Sequence, residues 1–271
     1  MDKFIDVERV IQKRNPKLLK WLPKFFIRWI EKIIHQEELN DATRRYAGYD
    51  THQFSKAVVD EFNLKLSIKG LENVPRYPEG IIFAGNHPLG GLDAIAIIDL
   101  LKEVRQDIYF ISNDFLMEFA PLRDRFVGVN KLGKNSADSM KKVEELFASD
   151  KATFIFPSGL VSRKIKGKIE DLEWKKTFVS KAKKYNKKVV PVYIEGKMSN
   201  RFYRMANIRK LLGIKLNIEM FFLVDELFKQ KNANIEVVIG EPIMPDTFTK
   251  EKNDREWAAW VKDRVYKLKR A

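Results

Sequence analysis

Gly80-Ile81-Ile82-Phe83-Ala84-Gly85-Asn86-His87-Pro88-Leu89-Gly90-Gly91-Leu92-Asp93 is the stretch from which the rest of the chain can be read. Its first half is a short, continuously apolar run, the pattern of a buried strand. A turn follows that carries a histidine and two glycines, and Asp93 then opens an apolar helix. A buried strand that feeds a turn and a helix is the building unit of an α/β sheet. In open sheets of that kind, ligands bind beyond the carboxyl ends of the strands, which is where this turn lies.

Outward from this unit the same texture repeats. Strand-like runs fall at Leu64–Ile68, Gly80–Ala84, Asp107–Ile111, Phe126–Val129, Ala152–Phe156, Lys188–Ile194 and Ile235–Ile239. Amphipathic segments near Leu92–Val104, Ser136–Ser149, Glu173–Tyr185, Phe202–Leu212, Glu219–Lys229 and Asp254–Leu268 alternate with them. The alternation predicts an α/β fold, a mixed and largely parallel sheet flanked by helices. Residues 63–271 read as one such domain, and residues 1–62 as a helical N-terminal segment. Within that segment Trp21, Leu22, Phe25, Phe26, Trp29, Ile30, Ile33 and Ile34 recur at helical spacing, while Lys20, Lys24, Arg28 and Lys32 take the other face. A helix over 17–34 with these two faces suits the interface of an anionic membrane; packing of its apolar face on the α/β domain is the plainer alternative.

Composition bounds the function classes. The 271 residues are 45% hydrophobic and 12% aromatic, enough for a sizeable core and too much for a disordered chain. A net charge of +14 implies an anionic partner. Cysteine is absent, which excludes disulfides, thiolate nucleophiles and Cys-based zinc sites. Met1–Asp6 runs into charged residues rather than an apolar segment, so no signal peptide is expected, and no apolar run approaches the ~18 residues of a spanning helix.

The familiar nucleotide and hydrolase signatures are missing: G-x-G-x-x-G, the G-x-x-x-x-G-K-[ST] phosphate loop, G-x-S-x-G and H-E-x-x-H do not occur. With histidine at His35, His52 and His87 alone, no metal site is expected.

The chemistry therefore centres on His87 and Asp93. A carboxylate at the start of a helix is held ionised by the helix dipole. From there it can take the Nδ1 proton of His87 and leave Nε2 free to accept another, the orienting logic of a catalytic triad without its serine. Gly90 and Gly91 leave room for a substrate. A tight turn with a merely hydrogen-bonded histidine is the plainer reading. A second strand ends in Phe156-Pro157-Ser158-Gly159-Leu160-Val161-Ser162-Arg163-Lys164 and leads into a basic run. A third, Val189-Val190-Pro191-Val192-Tyr193-Ile194, carries a proline near its middle, which requires a sheet edge or an irregularity.

Taken in order, these stretches resemble the lysophosphatidate/glycerolipid acyltransferase family. Asn86, His87 and Asp93 stand where the family has Asn-His followed by Asp. Phe156-Pro157-Ser158-Gly159-Leu160-Val161-Ser162 stands at its Phe-Pro-Glu-Gly-Thr-Arg-Ser, and Val190-Pro191-Val192 at its Val-Pro-Val strand. Phe126-Val127-Gly128-Val129-Asn130-Lys131 is similar to its middle motif, and Gly240-Glu241-Pro242-Ile243 to a late one. The likeness spans roughly 64–245, and Pro88-Leu89-Gly90-Gly91-Leu92-Asp93 looks like the hemolysin-related or aminolipid O-acyltransferase branch.

The resemblance implies an O-acyltransferase that moves a fatty acyl group from acyl-CoA or acyl carrier protein to a lyso-lipid hydroxyl. His87 would be general base and Asp93 its orienting partner, with no covalent acyl-enzyme and no cofactor. Asn86, Gly90, Gly91, Lys131, Pro157, Ser158, Gly159, Ser162, Arg163 and Lys164 would line the substrate site, and backbone N–H groups at Gly90-Gly91 or Ser158-Gly159 are candidate oxyanion donors. Partners would be the lipid acceptor, an acidic acyl carrier or acyl-CoA, and an anionic membrane surface, with the protein cytoplasmic and peripheral on the inner face of the cell membrane.

Two departures from the family pattern qualify this. One extra residue separates His87 from Asp93, which on a continuous helix would turn the carboxylate away by about 100°. Ser158, Leu160 and Val161 replace the residues that engage a phosphorylated glycerol acceptor, leaving Arg163 or Lys164 for a phosphate. A lyso-aminolipid or related monoacyl lipid is therefore favoured over lysophosphatidate or glycerol 3-phosphate as acceptor. The remaining alternatives are a hydrolase using His87 and Asp93 on water, an inactive member of the same fold and, in another class, a basic nucleic-acid-binding protein, although no nucleic-acid module is recognised.

Overall fold

The computed structural model describes residues 5–14, 16, 21–113, 119–129, 137–214 and 217–270. Seven strands form one sheet in the order β1-β9-β8-β2-β5-β3-β4. They are β1 Lys65–Lys69, β2 Ile81–Gly85, β3 Ile108–Asn113, β4 Phe126–Val129, β5 Ala152–Ile155, β8 Lys188–Ile194 and β9 Asn234–Ile239. Every neighbouring pair is parallel except β8 with β9, so the sheet is mixed and largely parallel, as the sequence predicts. A small antiparallel hairpin, β6 Arg163–Ile165 with β7 Lys168–Glu170, lies outside it and falls within the basic run.

Among the described residues four helices precede β1: α1 Val7–Arg14, α2 Lys24–Ile33, α3 Gln36–Arg45 and α4 Thr51–Glu61. The rest are α5 Gly91–Leu101, α6 Ala137–Ala148, α7 Thr177–Lys184, α8 Asn200–Leu211, α9 Leu223–Phe228 and α10 Asp254–Lys267. The helix expected over 17–34 is broken: α2 begins at Lys24 with Pro23 as its N-cap, in extended geometry at ψ 140°. Proline lacks the N–H and clashes with the preceding turn, so it starts a helix rather than continuing one. Residues 17–20 of that expected helix lie outside the described residues.

The central strand β2 is buried along its whole length. Ile81 and Phe83 pack with Phe54, Val58, Leu92 and Ile95 of α4 and α5 on one face. Ile82 and Ala84 pack with Phe147, Phe178, Ala182, Trp257 and Val261 of α6, α7 and α10 on the other. Helices on both faces explain why β2 is apolar without alternation. Pro191 sits in an interior strand but at an irregularity. Val192 pairs with Ile239 and Val189 with Ile243, so an extra residue on the β9 side bulges opposite the proline. Because β2, β5 and β8 run parallel side by side, the turns after all three emerge at one edge of the sheet.

Candidate active site

The site is assembled from those three turns. The extra residue between His87 and Asp93 is taken up before the helix starts. Gly90 adopts φ 68° and ψ −127°, a conformation open to glycine, and α5 begins one residue later. Asp93 therefore still faces the histidine: its Oδ2 lies 2.8 Å from His87 Nδ1. The side chain of Asp93 is completely buried, and that of His87 is 19% exposed. An ionised carboxylate only accepts, so this contact puts the proton on Nδ1 and leaves Nε2 as the basic atom. The Leu89 N–H also donates to Asp93, at 3.0 and 3.2 Å to its two oxygens.

The dipole is not the only influence on Asp93. Burial pushes its carboxyl above the ordinary range; the bonds from His87 and Leu89 pull it back, and the nearby Asp171 charge adds to the upward push.

The second turn packs on the first. The Phe156 ring stacks on the His87 imidazole with centroids 4.1 Å apart, and Ser162 N–H donates to His87 O at 2.8 Å. Pro157 and Ser158 are buried here, and the Ser158 hydroxyl donates to Leu160 O at 2.7 Å. Gly159 has φ 67° and its N–H donates to Phe156 O at 2.9 Å. That N–H is used within the turn, which removes it from the candidate oxyanion donors. From the third turn, Gly196 approaches Leu89 so closely that a Cβ there would stand 2.5 Å from Leu89 Cγ.

The remaining expected residues divide. Asn86 is buried and hydrogen-bonded to the main chain of Ile194 at the end of β8, so its amide holds strands together. Gly91 is exposed at the start of α5, and a Cβ there would meet only Leu227, at 3.9 Å. Arg163, expected to reach a phosphate, is buried instead. Its guanidinium donates to Glu219 at 2.7 Å and to Val161 O at 2.5 Å, and Glu219 is itself fully buried and also paired with Arg209 at 2.9 Å. A charge cannot be left unpaired in the interior, so this guanidinium serves Glu219. Lys164 is half-buried, with its ammonium 3.3 Å from Asn200 Oδ1. Lys131 lies outside the described residues.

One acidic residue within the basic run proves central. Asp171 is 1% exposed and follows β7. Its Oδ1 accepts from Ser162 Oγ at 2.6 Å and from His87 N–H at 3.2 Å, and its Oδ2 from Trp174 Nε1 at 2.9 Å. Its own N–H donates to Tyr266 Oη at 2.7 Å, and Lys262 Nζ donates to its carbonyl at 2.6 Å. The signal in the sequence was the Asp171-Leu172-Glu173-Trp174 spacing: a tryptophan bound for the core needs an acceptor.

Comparison with known proteins adds four findings. The acyltransferase family model matches residues 9–271. A protein of Bacteroides thetaiotaomicron named lyso-glycine lipid O-acyltransferase is 41% identical over 270 residues, 98% of this chain and 97% of the relative. One of Phocaeicola vulgatus with the same name is 41% identical over 269 residues, 98% of this chain and 95% of the relative. The crystal structure of the 1-acyl-sn-glycerophosphate acyltransferase PlsC from Thermotoga maritima aligns with a TM-score of 0.48 and 20% identity, covering 91% of this chain and 93% of that one.

Proposed function

This chain belongs to the acyltransferase family, and we propose that it transfers a fatty acyl group from a thioester donor to the hydroxyl of a lyso-lipid. The observation that carries the reading is the 2.8 Å contact between His87 Nδ1 and the buried Asp93 carboxylate. His87 Nε2 takes the proton of the acceptor hydroxyl as its oxygen attacks the thioester carbonyl. The tetrahedral adduct collapses, the C–S bond breaks, and the departing thiolate receives the proton from the imidazolium. Asp93 keeps Nδ1–H in place and stabilises that imidazolium. Base catalysis of this kind supplies typically ~10²–10⁴-fold, and positioning supplies much of the rest. No covalent acyl-enzyme, metal or bound cofactor enters the scheme.

The names of the two relatives support a lyso-lipid carrying glycine as acceptor. Commitment of Arg163 to Glu219 fits that preference over lysophosphatidate, since it withdraws a cation from phosphate binding. The donor is acyl-CoA or acyl carrier protein; an acidic carrier would complement a chain of +14. The test is a side-by-side assay of the purified protein with both donors, offering lyso-glycine lipid and lysophosphatidate as acceptors and measuring the diacylated product by mass spectrometry. Preferential acylation of the glycine lipid is expected. Lysophosphatidate as the better acceptor would overturn the acceptor assignment, and no transfer to either lipid would overturn the reaction.

We further propose that the enzyme works on an anionic membrane surface, peripheral on the cytoplasmic face. Among the described residues no helix is long and apolar enough to cross a membrane. Helix α2 docks through the buried Ile27 and leaves Phe25 and Trp29 exposed, by 73 and 47%, and Trp21 just ahead of it is 81% exposed. Lys24, Arg28 and Lys32 on the same segment supply the positive charge that such a surface attracts, worth about 1 kcal/mol each near anionic lipid.

A further inference from the structure

We infer that Asp171 is a positioning residue of the transfer reaction: it clamps the main chain of His87 to the Phe156–Ser162 turn. The inference rests on His87 acting as the base. Asp93 holds only the ring of His87, and a base must also have its backbone fixed if Nε2 is to stay within reach of the acceptor hydroxyl. Three hydrogen bonds converge on the carboxylate of Asp171, from His87 N–H, Ser162 Oγ and Trp174 Nε1. The first two come from the turns after β2 and β5. The same residue is tied through its main chain to Tyr266 and Lys262 of α10. A single buried residue thus joins both turns, through its side chain, to a helix on the far face of the sheet, through its main chain.

A burial of this kind needs a reason. Replacing a buried, hydrogen-bonded carboxylate by apolar packing is often neutral or stabilising, so stability alone does not explain it. Asp171 fixes the His87 main chain while Asp93 fixes its ring, so the two carboxylates together hold the imidazole in place.

The test compares Asp171→Asn, Ser162→Ala and Trp174→Phe with wild type and with His87→Ala, measuring kcat and KM in the acyl-transfer assay. Asp171→Asn keeps the size and one acceptor but weakens the bonds from His87 and Ser162. Its kcat should fall about 10- to 100-fold with little change in KM. Ser162→Ala cuts the bridge between the turns, so kcat should fall there too with little change in KM. Trp174→Phe removes the third bond, leaves the two that join the turns, and should lower kcat less than either. A folded Asp171→Asn protein with the wild-type kcat would overturn the inference. Should that variant fail to fold, a Ser162→Ala protein with wild-type kcat would overturn it instead. An active His87→Ala protein would remove the base itself, a different failure that the same experiment recognises.

Discussion

The side-chain amide of Asn86 makes both hydrogen bonds of a strand pair with the main chain of Ile194: Nδ2 donates to the carbonyl at 2.8 Å and Oδ1 accepts from the N–H at 2.7 Å. The β2–β8 ladder is parallel through Gly85 and Val192, and Asn86 extends it with a side chain where the backbone turns away towards His87. Asparagine suits this because its amide carries the same donor and acceptor as a peptide group.

Asn86→Ala would leave a buried N–H and C=O of Ile194 without partners. It should cost about 1–3 kcal/mol for each group left unpaired and loosen His87 beside it. Urea unfolding and acyl transfer measured together should show both losses. Full stability with a raised acceptor KM would mean that Asn86 contacts substrate instead.

Asp93→Asn should separate activity from stability. The Asn oxygen would accept from His87 Nδ1–H without its charge, so transfer should fall by roughly 10²–10⁴-fold. Stability should go the other way. Burial raises the Asp93 carboxyl in the folded state, so folding takes up a proton and ionisation costs stability as pH rises from the ordinary carboxylate value through the raised one. Asparagine escapes that cost, so the variant should gain relative to wild type across that window and be no less stable at pH 7. Thermal melts from pH 4 to 8 would show the trend; a gap that widens against the variant as pH rises would refute it.

Arg163→Ala tests where that guanidinium belongs. Glu219 would lose one of the two arginines that neutralise it in the interior, and breaking a buried pair from one side costs about 3–5 kcal/mol. Chemical denaturation should register this, while the acceptor KM of the protein that remains folded should barely move. A stable variant with a much weakened acceptor KM would return Arg163 to the substrate.

Trp21→Glu/Phe25→Glu alters two side chains that are mostly exposed, so the circular dichroism spectrum and melting temperature should be unchanged. Flotation with anionic vesicles should drop and wild-type binding should weaken with salt. Equal flotation of the two proteins would show that α2 does not meet the membrane.

Much of this protein was legible in its sequence because the physics behind it is local. Apolar strands of the right length, separated by amphipathic helices and glycine turns, predict the sheet to within a residue or two at most ends, and His87 with Asp93 lies within one turn of chain. The bulge opposite Pro191 was foreseen as a requirement, since a missing N–H must be accommodated wherever the strand lies. What the sequence alone left open depended on contacts distant along the chain. The extra residue before Asp93 was ambiguous until the Gly90 geometry placed the start of α5 after it. Arg163 and Lys164 read alike as neighbouring cations, yet Arg163 meets Glu219, 56 residues away, and is buried with it. Asp171 lies in a basic stretch; only the fold brings the N–H of His87, 84 residues before it, to its side chain and the hydroxyl of Tyr266, 95 residues after it, to its main chain. A residue's own chemistry and near spacing settle which groups are able to react, but burial and partners are properties of the packed chain, and they decide which charges are free for substrate and which hold the site together.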